Sequence, residues 1–146
     1  MEINGLPLHP LVVHAAVVFG PLAALAALAY VVLPARRDRL RWPMLAMALL
    51  GTGAIVAAYF TGRNLLSSRP ELAQLELVPA HQERGGQLFW VTLGFGVLAV
   101  VAAVLHSRTG AVRVLMSVLL GLAALGVLGL AVLTGDSGAR AVWFQG

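Results

Sequence analysis

The chain has 146 residues, of which 60% are hydrophobic and 11% charged, with no cysteine and a net charge of +4. Soluble chains carry about 25% charged residues, so this composition excludes an ordinary water-soluble domain and points to lipid as the solvent. The missing cysteine excludes disulfides, thiolate metal sites, iron–sulfur ligation and covalent haem attachment.

The first apolar stretch, about residues 11–33, is long enough to cross a bilayer and carries His14 one turn inside it. It is expected to stay on the protein rather than be cleaved as a signal peptide. Glu2 stands where a positive region belongs, and the run is too long. Pro10 suits a first helical turn, and Pro21 should kink the span by freeing the Val17 carbonyl. The second span, about 42–62, is read as starting at Trp42–Pro43 and ending on Arg63. A longer loop follows, in which residues 70–77 have the pattern of a short interfacial helix. His81 precedes the third span, about 86–106, and His106 closes it. The fourth, about 112–134, runs into Gly135–Asp136, with Gly135 and Gly138 bracketing a helix exit. Small residues recur four apart, as in Gly20/Ala24 and Gly53/Ala57, which lets helices approach closely in lipid.

The pattern predicts an all-α integral membrane protein, a single four-helix up-down-up-down domain over residues 1–146. All ten basic residues are arginine, in a chain rich in Ala, Gly, Leu and Val, as expected of a high-GC bacterial genome. Arg36, Arg37, Arg39, Arg41, Arg108 and Arg113 fall in the first and third loops against Asp38, a net +5. Arg63, Arg69, Arg84 and Arg140 fall on the other side against Glu2, Glu71, Glu76, Glu83 and Asp136, a net −1. The positive-inside rule then puts both termini outside, N-out and C-out, in a multi-pass protein of the bacterial plasma membrane. Topology accounts for these arginines, so nucleic acid is not the expected partner. Trp42, Tyr59, Phe60, Trp90 and Trp143 fall where an aromatic belt would meet the lipid headgroups.

Polar groups gather at the proposed outer end: His9, His14, His81, Arg63 and Asp136. His14 is the most pointed, because an ionisable residue at that depth should face the bundle interior. His9 lies five residues before it, about 140° around a helix, so the two do not form a same-face pair. A solvated His9 and interior His14 and His81 that merely hydrogen-bond to neighbouring helices are the bland alternatives. Arg63 and Asp136 end outward-directed spans and are expected to pair, with Arg140 as the competing partner for Asp136. His106 sits at the opposite end, where a headgroup contact is the expected role. No serine–histidine–aspartate set, phosphate loop or HExxH motif is present, so nothing supports a hydrolase or an ATPase.

The opening Gly5-Leu6-Pro7-Leu8-His9-Pro10-Leu11-Val12-Val13-His14 resembles the start of a bacterial family of predicted membrane proteins, domain of unknown function 2231. The family pattern is His-Pro-x-x-Val-His. Gly135-Asp136-Ser137-Gly138-Ala139-Arg140-Ala141-Val142-Trp143 is similar to the family's closing motif in actinobacterial members, and His81-Gln82-Glu83 matches a histidine before the third helix. Many relatives carry histidine where this chain has Asp136. Others are joined to Rieske-type domains, which implies membrane electron transfer. The expected function is a redox or metal-associated subunit holding haem b through His14 and His81, or a transition metal among His9, His14, His81 and Asp136. The alternative is an accessory or scaffold subunit of a larger membrane complex or homo-oligomer, with structural histidines. No catalytic residue is assigned.

Overall fold

The computed structural model describes residues 2–3 and 6–143, with side chains from Pro7 onward. Gly5 of the opening motif and the closing Phe144, Gln145 and Gly146 lie outside the described residues. Helices α1 (Leu8–Val32), α2 (Arg37–Ser68), α3 (Val78–Val104) and α4 (Gly110–Trp143) make up nearly all of the rest. Each is long and apolar enough to cross a membrane. A two-residue antiparallel pair, β1 (Glu2–Ile3) and β2 (Leu6–Pro7), leads into α1. The helices alternate in direction. α1 packs on α2 and α4, and α3 packs on α4 and α2, so α1 and α3 stand on a diagonal.

The helices run past the apolar stretches at their polar ends, and this moves several residues. α1 starts at Leu8 with Pro10 still in its first turn, so His9 is already helical; Pro21 sits inside an uninterrupted helix. α2 starts at Arg37 rather than Trp42, so Pro43 is interior rather than a helix-start residue. A short 3-10 turn, Pro34–Arg36, precedes it. In the long loop only Pro70–Gln74 is helical, as a 3-10 turn. Pro79 opens α3 at Val78, which puts His81 in its first turn rather than ahead of it. α4 continues to Trp143, so Gly135 and Gly138 lie within the helix and not at an exit.

Small side chains make up much of the interior, around the buried Tyr30, Phe95, Met44 and Leu120. Ala24, Ala27, Ala48, Ala99 and Ala124 are fully buried, while Leu25, Val97, Leu122 and Trp90 point outward. Lipid tails are as apolar as leucine, so burying large residues gains little and close backbone contact gains more. Gly51 is the tightest such contact: a Cβ there would lie 2.7 Å from both the Phe19 carbonyl oxygen and the Ala23 Cβ.

The two hairpins, α1–α2 and α3–α4, repeat each other. Residues 72 apart match between α1 and α3: Gly20, Ala23, Ala24, Ala27 and Tyr30 are buried, and so are Thr92, Phe95, Gly96, Ala99 and Ala102. Residues 76 apart match between α2 and α4: Met44, Ala48 and Gly51 against Leu120, Ala124 and Val127. Both hairpins run in the same sense. The relation is therefore a parallel repeat about an axis along the bundle, a plan that many membrane proteins use.

Candidate functional site

The repeat is closest at the end that carries both chain termini. There α1 turns the His9 ring onto α2, and α3 turns the His81 ring onto α4. His9 Nδ1 lies 3.0 Å from the Ala58 carbonyl and 3.3 Å from Thr61 Oγ1. His81 Nδ1 lies 3.1 Å from the Thr134 carbonyl and 3.3 Å from Ser137 Oγ. In each case the hydroxyl belongs to the residue three positions after the carbonyl. Each hydroxyl spends its own proton on backbone, Thr61 on Ala57 and Ala58 and Ser137 on Thr134.

A carbonyl oxygen can only accept, so Nδ1 carries the proton in both rings and donates it to that oxygen and the hydroxyl oxygen. A ring whose Nδ1–H is held this way presents the Nε2 lone pair as its free function. Each ring also packs against a glycine. A Cβ on Gly62 would sit 2.9 Å from His9 Cε1, and one on Gly138 would sit 2.9 Å from His81 Cε1. Thr61-Gly62 and Ser137-Gly138 are thus the same device: the hydroxyl fixes the ring and the glycine makes room for it. The two imidazoles stand on the diagonal helices α1 and α3.

His14 is not part of this arrangement. It is exposed on the outer surface of α1, with Nδ1 donating to the Pro10 carbonyl at 2.6 Å. Because His9 is itself helical and faces inward, the 140° between the two residues turns His14 out toward lipid. His14 therefore stands apart from the seats that hold His9 and His81.

The expected Arg63–Asp136 pair is not formed. α2 and α4 are diagonal, and Asp136 instead takes Arg140 one turn along its own helix, with Nε to Oδ2 at 2.9 Å. Arg63 lies over the Tyr59 ring. Asp136 is exposed and makes no third ligand, and no group of three or more His, Asp or Glu side chains able to hold a metal exists among the described residues.

The opposite, arginine-rich end holds a network that sequence reasoning missed. His106 is drawn into the bundle rather than out to headgroups. Its Nε2 meets Asp38 Oδ1 at 2.7 Å and its Nδ1 meets the Tyr30 hydroxyl at 2.9 Å. Tyr30 is fully buried and also reaches the Ala102 carbonyl at 3.3 Å. The Arg37 guanidinium covers the Tyr30 ring at 4.6 Å. No periodicity marks this set, because its four members come from α1, α2 and the turn after α3.

On the lipid-facing side, α1 and α2 leave an apolar groove of about 520 Å³ bordered by Leu8, Phe19, Leu50, Gly53 and Ala57.

A family model described as a predicted membrane protein, DUF2231, matches residues 5–146. No curated protein and no solved structure matches the chain.

Proposed function

Since the chain belongs to the DUF2231 family of predicted membrane proteins, we propose that it is a multi-pass subunit of the bacterial plasma membrane that holds a haem b at the extracytoplasmic end of its bundle. His9 and His81 are the residues that would ligate it. The supporting observation is the pair of rings whose Nδ1–H groups are both held by backbone carbonyls, which leaves the Nε2 lone pair of each ring as its free function. A haem iron needs only axial ligands from the protein, whereas a bare ion in a closed site needs about four. Two histidines with no carboxylate grouped with them among the described residues suit the first better than the second. When bound, such a group would supply one-electron transfer. The protein's own part is to fix both tautomers and aim both rings, which the carbonyl, hydroxyl and glycine of each hairpin do.

The orientation belongs to the same proposal: six arginines and one acid at the opposite end favour that end as cytoplasmic. A reporter fused after Trp143 should be active outside the cytoplasm, and cytoplasmic activity would reverse the assignment. For the site, the protein purified from its native membrane should show a Soret band. His9→Ala and His81→Ala should each abolish it, while His14→Ala and His106→Ala keep it. Loss through His14→Ala with retention in His9→Ala would return the site to the lipid-facing ring.

A second reading, an accessory subunit, draws on the groove between α1 and α2, which is shaped to take an apolar chain or a partner helix. A colourless, metal-free protein whose histidine variants assemble normally would favour it.

A further inference from the structure

We infer that Arg37 and Arg41 form a binding site for the phosphodiester of an anionic phospholipid at the arginine-rich end of the bundle. Arg37 is only 7% exposed, yet its Nε has no hydrogen-bond partner. Arg41 Nε is buried and unpaired in the same way. Burying part of a guanidinium without an acceptor is costly, and the cost is relieved by an acceptor brought from outside.

The protein supplies no counter-charge of its own. Asp38, the acid in the first turn of α2, is engaged by His106 at 2.7 Å, and neither arginine has an acidic partner among the described residues. They lie one turn apart on α2, a spacing at which like charges repel. An anion between them converts that repulsion into two attractions, and guanidinium is the group best shaped to meet a phosphate.

Both guanidiniums are also held in place. Arg37 stacks on Tyr30 at 4.6 Å, and Arg41 stacks on Trp42 at 4.5 Å. Trp42 is 62% exposed, as a ring at the boundary between lipid tails and headgroups would be. An exposed indole beside the two arginines favours a lipid headgroup as the source of the phosphate. In the second hairpin the matching positions are Arg113 and Ser117, so the paired arrangement belongs to α2 alone.

The test uses the full chain in vesicles of phosphatidylcholine with and without phosphatidylglycerol, followed by native mass spectrometry of retained lipid. The wild type should retain phosphatidylglycerol in preference. Arg41→Gln should lower that preference about tenfold, and Arg37→Gln with Arg41→Gln about 100-fold, as loss of one and of two charged hydrogen bonds would. Arg36→Gln with Arg39→Gln removes two exposed charges from the same end of the bundle and should leave most of the preference in place. An equal loss in that control would reduce the effect to surface potential and overturn the site. So would a wild type with no preference, a result that needs no variant to fold. Displacement of the retained lipid by millimolar inorganic phosphate would overturn the lipid source in favour of soluble phosphate. Haem content has no bearing on any of these outcomes.

Discussion

Hairpin α1–α2 sets His9 against Ala58 and Thr61, and hairpin α3–α4 sets His81 against Thr134 and Ser137, with a glycine under each ring. At the other end the same two hairpins part company. Tyr30 reaches toward His106 where α3 has Ala102, and Arg41 stands where α4 has Ser117. The correspondence therefore lies in one layer of the bundle and fails in another. The matched layer carries two seats, each made within one hairpin, whereas the Tyr30–His106–Asp38 set of the other layer joins the two hairpins.

The sharpest break between the hairpins is Gly51, whose match in α4 is the buried Val127. Gly51→Val should be the most damaging single change in the bundle, at about 3 kcal/mol or more, because the added Cβ meets the Phe19 carbonyl and Ala23, which cannot rotate away. Thermal unfolding in detergent reads this directly, and a mild effect would mean that α1 and α2 separate more easily than their contact indicates.

The matched layer makes a different demand: equality. Gly62→Ala and Gly138→Ala should each cost about 1–3 kcal/mol and agree with one another, since each puts a Cβ 2.9 Å from the same histidine atom. Gly53→Ala and Gly85→Ala, with open space around them, should be neutral or slightly stabilising. Unequal effects at Gly62 and Gly138 would show that only one of the two histidine seats matters to stability.

The four spans were legible from their apolar length alone, and so was the bundle. Which histidine faces inward was not, because that depends on where a helix begins. Apolar counting starts α1 near Leu11 and α3 near Gly86, whereas the backbone is helical from Leu8 and Val78. Pro79 was the available signal, as a proline suited to a first turn, and it puts His81 inside α3. Thr61-Gly62 and Ser137-Gly138 were a second signal, a shared hydroxyl–glycine step at the end of the even spans. The Asp38–His106–Tyr30 set carried no such mark, because its members are scattered along the sequence and meet only through helix packing.

A smaller effect is expected from Tyr30→Phe, which removes one hydrogen bond from His106 and the one to Ala102, about 1–2 kcal/mol in the same unfolding assay. The smallest is expected where the surface pair was formed differently. Asp136 and Arg140 are one turn apart and half exposed, so breaking them should cost about 0.3–0.5 kcal/mol. A double-mutant cycle between Arg63 and Asp136 should be additive. Coupling in that cycle would reinstate the cross-bundle pair.

Residues 69–77, the stretch that joins the two hairpins, also govern what the protein can become. A dyad assembled from two separate copies must repeat every residue, so a change in one half is imposed on the other. Joined in one chain, the halves are free to evolve apart. Each position then has its own genetic address. A two-copy ancestor could have kept the facing histidines, but only a fused descendant can hold Tyr30 opposite Ala102 and confine Arg41 to a single flank.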